Sequence, residues 1–125
     1  MKIRKELIDG YLRLLTMGRA ANAADPMSET GKMDADIRTM RRRALNEGNL
    51  DWLRLSMEAL INDPQGRISQ FSGHRYPYDE AELVTLFRRA YGMIWPDQPL
   101  AEPGDEADLE FVEMSAEEWD AFTGA

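Results

Sequence analysis

The sequence predicts a mainly α-helical fold, namely a small bundle of four to five helices that ends in an acidic, Pro-containing C-terminal segment. Apolar residues recur at three- and four-residue spacing in four stretches, which is the period of a helix with one buried side. Clusters of Gly, Pro, Asn and Asp separate these stretches and predict turns. The chain of 125 residues is long enough for one core, and it contains no Cys for disulfides. We expect a helical domain over residues 1–95, an acidic Pro-rich linker over 96–108 and an acidic aromatic segment over 109–125.

The first two helices are predicted from the spacing of their apolar residues. The first is expected from about Lys2 to Ala21. Its buried stripe contains Ile3, Leu7, Tyr11 and Leu14. Turn-forming residues between Ala24 and Lys32 predict a loop. The second helix is then expected from about Met33 to Asn46, with Met33, Ile37 and Met40 facing inward.

The next two helices are predicted from their end signals as well as from their stripes. Gly48 favours a left-handed turn, and the side chain of Asn49 is expected to cap the third helix. That helix has an apolar face and should stop at Asn62, Asp63 and Pro64. The residues of this face are Leu50, Leu53, Met57, Leu60 and Ile61. Asp79 and Glu82 have the spacing of a capping box, which predicts the start of the fourth helix; Pro96 closes it.

The C-terminal part of the chain contains an irregular stretch and a short fifth helix. Three prolines and a glycine disfavour regular structure between Pro96 and Asp108. Ser115 and Glu118 repeat the capping-box spacing and predict a helix from Ala116 to Phe122, with Gly124 beyond its end. Leu109 to Met114 is short and apolar at alternate or adjacent positions, so it is either a strand or an extended docking segment.

Charge is distributed unequally along the chain. All 15 Lys and Arg lie within the first 89 residues, together with 13 of the 23 acidic residues. The last 36 residues therefore carry ten carboxylates and no basic side chain, which indicates an interaction surface or a solvated tail. A purely solvating tail has few aromatic residues, whereas this one contains Phe111 and Trp119. Two alternatives follow with equal weight: these rings are buried against this chain or against a partner.

The leading functional hypothesis is a non-enzymatic protein-binding module that engages a basic or nucleic-acid-handling protein, without direct nucleic-acid or membrane contact. The predicted contact residues are carboxylates and aromatic rings of the C-terminal segment: Asp105, Glu106, Asp108, Glu110, Phe111, Glu113, Glu117, Glu118, Trp119, Asp120 and Phe122. The short, Cys-free, acidic and helical profile resembles small inhibitors and assembly factors of bacteriophages and mobile elements, among them anti-CRISPR proteins. This resemblance is one of composition and assigns no role to any residue.

Two alternatives belong to other functional classes. The first is a helical oligomeric assembly factor or chaperone that uses Met-containing helix faces. The second is a small enzyme centred on His74, with Arg75 and Tyr76 beside it. No spacing identifies partners for this histidine, so no catalytic residue is assigned. One His and no Cys argue against a transition-metal site, and the sequence has no calcium-loop pattern and no Gly-rich phosphate loop, so neither a metal site nor a cofactor is expected.

A cluster of basic residues contrasts in charge with the acidic C-terminal segment. It consists of Arg38, Arg41, Arg42 and Arg43. Within their helix, the negative charge of Asp34 is expected to offset the positive charge of Arg38, and Glu47 is expected to do the same for Arg43. A solvated face or a dock for the acidic tail is favoured over a phosphate-binding patch. Because no apolar run approaches the ~18 to 20 residues of a membrane span, a cytoplasmic location is expected.

Overall fold

The computed structural model describes residues 1–64, 68, 71 and 78–124, and this part of the chain is mainly helical, as predicted. It contains five α-helices: α1 (Lys5–Thr16), α2 (Thr30–Asn46), α3 (Leu50–Asn62), α4 (Glu80–Ile94) and α5 (Ala116–Thr123). Two short strands, β1 (Lys2–Arg4) and β2 (Glu110–Val112), form a parallel sheet. Short 3-10 helices at Ala20–Asn22 and Pro26–Ser28 connect α1 to α2.

Helices α1 to α4 bury their apolar stripes in one hydrophobic cluster. Helix α2 packs against α1, α3 and α4, so it lies at the centre of the bundle. The cluster includes Leu12, Ile37, Leu53, Leu60 and Phe87. Met33, Met40 and Met57 are also buried in it and are therefore packing residues in this structure.

The predicted start of the first helix is wrong, because Lys2–Arg4 forms β1. In this strand Ile3 pairs with Phe111 of β2, and Ile3 is completely buried. Helix α1 therefore begins only at Lys5. The helical spacing of Ile3 and Leu7 was a real local pattern, but β2 supplies both backbone partners and a buried environment from the far end of the sequence.

The predicted end of the first helix is also wrong, because α1 stops at Thr16 and not near Ala21. The carboxylate of Asp36, on α2, accepts hydrogen bonds from the backbone amides of Arg19 and Ala20 at 3.1 and 3.2 Å. A side chain at Gly18 would collide with this carboxylate. A contact from another helix thus fixes the turn that ends α1. Helix α2 itself begins at Thr30, earlier than predicted, inside the expected loop.

The end signals of the later helices are confirmed with one exception. Both capping boxes are present, one at Asp79 and the other at Ser115, and Gly48 has a left-handed φ of 74°. The predicted side-chain cap at Asn49 is wrong. Its amide nitrogen instead donates a hydrogen bond to the hydroxyl of Tyr11 at 3.0 Å. The Asn49 side chain therefore contacts α1 through its nitrogen, and its oxygen caps no amide of α3.

The stretch predicted as a linker has no helix or strand, yet it contacts α3 closely. The backbone amide of Ala101 donates to the Glu58 carboxylate at 2.8 Å, and the Ala101 carbonyl accepts from the Asn62 side chain at 2.7 Å. Glu58 is only 5% exposed and also accepts from Arg54 at 2.7 Å. Polar side chains of α3 therefore hold this irregular segment at a defined position.

The segment after the linker packs on the helices of the same chain. Leu109, Phe111 and Trp119 belong to the same hydrophobic cluster as the helices. Phe111 meets Phe71 edge-on with ring centroids 5.2 Å apart, and Trp119 meets Trp52 in the same way at 5.0 Å. Of the two alternatives left open by the sequence, burial against this chain is the one that the structure contains.

Candidate functional site

The predicted contact residues divide into a buried and an exposed set. Phe111 and Trp119 are 7% and 6% exposed, so in this structure neither ring is open to a partner. Most of the other predicted contact residues are exposed: Asp105, Asp108, Glu110, Glu113, Glu117, Glu118, Asp120 and Phe122. Glu106 is half-buried and accepts from the backbone amide of Gly104 at 2.6 Å. The structure thus places apolar groups inward and carboxylates outward along the same segment.

Strand β2 and helix α5 produce this separation in different ways. In β2, alternate side chains point to opposite faces, so Phe111 faces the core while Glu110 faces solvent. In α5, only Trp119 is buried. Glu118 takes part in the capping box with Ser115, and the remaining acidic side chains of the helix project outward. Phe122 stacks on Trp119 with centroids 6.1 Å apart and is 55% exposed.

The exposed carboxylates have little compensation from the chain itself. Within the described residues, no Lys or Arg forms an ion pair with Glu110, Glu113, Glu117 or Asp120. The ion pairs that the structure describes lie elsewhere, for example between Arg89 and Asp34. The acidic surface is defined here as the exposed side chains of these four carboxylates. Its negative charge is therefore available to other molecules.

The arginines of α2 form an exposed face, as favoured from the sequence, but within the described residues they form no ion pair with Asp34 or Glu47, their predicted partners. The four side chains Arg38, Arg41, Arg42 and Arg43 are all exposed. Asp34 pairs with Arg89 of α4 through two hydrogen bonds of 2.7 and 3.0 Å, and not with Arg38. These bonds are the main cause that lowers the pKa of the Asp34 carboxyl group, and the charge of Arg38 acts in the same direction.

A groove lies between α5, the N-terminal residues and the turn that joins α2 to α3. Its volume is about 460 Å³. Six of the residues that line it are Arg4, Glu47, Asn49, Trp52, Trp119 and Asp120. Only Trp119 and Asp120 were among the predicted contact residues. The others come from distant parts of the sequence, and no spacing connects them to the C-terminal segment.

A hydrogen-bond network fixes the carboxylate on one wall of the groove. The Tyr11 hydroxyl donates to Glu47 Oε1 at 2.6 Å and accepts from the Asn49 side chain at 3.0 Å. Burial and the bond to Glu47 raise the pKa of Tyr11 to about 12. Tyr11 therefore remains a protonated donor at neutral pH. It orients Glu47, which is the partner that the sequence had assigned to Arg43.

The enzyme hypothesis concerns residues on which the structure gives no information. His74, Arg75 and Tyr76 lie outside the described residues. In the described ranges, no group of three or more His, Asp or Glu side chains is arranged to hold a metal ion. None of the helices in these ranges is both long and apolar enough to cross a bilayer.

Comparison with known proteins identified no relatives. No protein-family model, no curated protein and no solved structure matches this chain. Function is therefore inferred from the placement of its own residues.

Proposed function

We propose that this protein is a non-enzymatic protein-binding module that engages a partner with a basic surface. The observation that carries the proposal is the acidic surface, in which Glu110, Glu113, Glu117 and Asp120 are exposed and have no basic partner among the described residues. A basic surface would neutralise this charge. The carboxylates would speed and orient the encounter more than they would add to final affinity.

The ring of Phe122 supplies an apolar contact beside these carboxylates. It is more than half exposed and is supported from below by Trp119. Aromatic side chains at the centre of an interface often contribute a large part of its binding energy. The carboxylates can steer association, and the exposed Phe122 ring can add binding energy. Together they support a protein as the partner.

Nucleic-acid-handling proteins are a suitable class of partner. Their binding surfaces carry Lys and Arg that neutralise phosphates, and the carboxylates of this chain would compete for the same side chains. Direct binding to nucleic acid is disfavoured because the acidic surface repels phosphates. Occupying such a surface would make the protein an inhibitor of its partner, which is the anti-CRISPR-like role that its composition resembles.

The test compares two variants with opposite charge changes. One carries Glu110→Gln, Glu113→Gln and Glu117→Gln; the matched control carries Arg38→Gln, Arg41→Gln and Arg42→Gln, which are exposed on α2. Basic proteins captured by the unmodified chain are identified, purified and titrated with each variant at low and high ionic strength. Nucleic acid is then added as a competitor.

We expect the glutamate variant to bind more weakly and with less salt dependence, because it has lost charges that the partner neutralises. The arginine variant should bind at least as well as the unmodified chain, because it has lost positive charges that a basic partner repels. Added nucleic acid should compete for the partner and release it from the arginine variant and from the unmodified chain. Equal binding by the glutamate variant and the unmodified chain would reject the acidic surface as the contact.

A further inference from the structure

The groove beside α5 combines negative charge with aromatic rings. Glu47, Asp120, Trp52 and Trp119 are among the residues that line it, and the two indole rings meet edge-on with centroids 5.0 Å apart. Phe122 stacks on Trp119 but does not itself line the groove. Carboxylates attract cations, and the faces of aromatic rings attract them as well.

The one basic side chain in the groove is already engaged. Arg4 donates from Nε to the Met114 carbonyl at 2.8 Å and lies 3.7 Å from the Glu6 carboxylate. The Glu6 carboxylate therefore offsets part of its charge, and its Nε–H is already used in a hydrogen bond. The charges of Glu47 and Asp120 have no such ion pair in the described part of the chain.

A basic side chain lies in a neighbouring hollow. This hollow of about 190 Å³ shares Arg4 and Glu47 with the groove and is also lined by Arg43. Arg43 repels a cation there, whereas the Glu47 and Asp120 carboxylates of the groove attract one. The groove, at about 460 Å³, has room for a cationic side chain.

Resting on the function proposed above, we propose that this groove receives an arginine side chain of the basic partner, bound by the Glu47 and Asp120 carboxylates and by the ring of Trp52. A guanidinium group is planar, so it can pair with a carboxylate through two parallel hydrogen bonds and stack on a ring at the same time. A lysine ammonium cannot make this combination, so arginine is the side chain selected.

The test titrates the full-length protein with three blocked peptides that differ at one position, which is arginine, lysine or citrulline. Citrulline keeps the shape of arginine but has no charge. Nuclear magnetic resonance signals of the three indole N–H groups report the site, because Trp52 and Trp119 line the groove whereas Trp95 packs against Tyr91. We expect the arginine peptide to shift the first two signals and leave Trp95 unchanged. Citrulline should produce no shift, and lysine a weaker response.

Two variants separate the groove from the general acidic surface. Glu47→Gln with Asp120→Asn changes the two exposed carboxylates of the groove and should weaken arginine-peptide binding about tenfold, or about 1.4 kcal/mol. Glu110→Gln with Glu113→Gln changes carboxylates that do not line the groove, and it should reduce peptide affinity less than threefold, mainly at low salt. The unchanged Trp95 signal checks that each variant is folded.

The possible failures are distinguishable. Equal arginine-peptide binding by the groove variant and the unmodified chain would overturn the groove while the acidic surface remained the proposed contact. Equal affinity for the lysine and arginine peptides would overturn the selection of arginine. If the arginine peptide shifts the groove indoles but no basic protein binds, the groove stands as a site and the proposed function fails.

Discussion

The helical bundle and the C-terminal segment are attached to the same core by different means. Helices α1 to α4 each bury a continuous stripe, so their attachment is spread over many side chains. The segment after Trp95 is attached at a few points, among them the β1–β2 pairing, Trp119 and the backbone of Ala101. This difference leaves the outer side of the segment free for carboxylates. A region can therefore bury apolar side chains in the core and still expose a row of carboxylates to solvent.

The largest expected effect comes from Phe111, which anchors β2 in the core. Phe111→Ala should lower the free energy of unfolding by about 3–5 kcal/mol, because a buried aromatic ring is lost and a cavity remains. Urea unfolding followed by circular dichroism measures the change. Phe122→Ala is the matched control, since it removes the same ring from an exposed position and should cost less than about 0.5 kcal/mol. Equal stability of both variants would show that the segment contributes nothing to the core.

A smaller effect is expected at Glu58, which holds the irregular stretch against α3. Glu58→Ala removes the acceptor of the Ala101 amide and of the Arg54 guanidinium, and it should cost about 1–3 kcal/mol. Hydrogen exchange at the Ala101 amide should accelerate strongly in the variant. Glu58→Gln keeps an acceptor and should restore part of the protection. Unchanged exchange at Ala101 in the alanine variant would contradict the role assigned to Glu58.

The two capping boxes allow the same change to be made in both regions. Asp79→Ala and Ser115→Ala should each cost about 1 kcal/mol locally, because each removes the acceptor for a helix amide. For Asp79→Ala in α4, the loss should lower the free energy of global unfolding. For Ser115→Ala in the eight-residue α5, the loss should appear first as faster amide hydrogen exchange, because a short helix at the edge can unfold locally while the bundle stays folded. Identical global effects would show that α5 unfolds only together with the bundle.

The smallest effect concerns the ion pair between α2 and α4. Arg89 lowers the pKa of Asp34 below its ordinary value of 3.8, so the pair stabilises the fold above that value and loses its effect as pH falls through the lowered pKa. Arg89→Gln should raise the pKa of Asp34 and cost less than about 1 kcal/mol at neutral pH, because both side chains are partly exposed. Carbon-detected titration of the carboxyl group measures the first effect. An unchanged pKa would show that the pair does not form in solution.

Features that depend on neighbouring residues were predictable from the sequence. The capping boxes at Asp79 and Ser115 and the left-handed Gly48 require partners at most a few positions away. The apolar stripes of α2, α3 and α4 likewise follow from the 3.6-residue period of the helix. These signals survive in the folded protein because no tertiary contact competes with them.

Features of the candidate site were only partly predictable. The exposed carboxylates could be found from composition, because charge after Arg89 has a single sign. The groove could not be found, since Glu47 and Trp52 meet Asp120 only after the chain has folded. The Tyr11 hydroxyl that orients Glu47 is 36 residues away from it, and no local pattern links the two.

Local sequence patterns were enough to predict the helical class, the positions of most helix ends and the separation of charge along the chain, because periodicity, capping and composition are local properties. Tertiary packing was needed to establish that Lys2–Arg4 is a strand, that Asn49 binds Tyr11 and that Phe111 and Trp119 are buried in their own chain. Each of these outcomes depends on a partner far away in sequence. Such partners become available only when packing brings the two ends of the chain together.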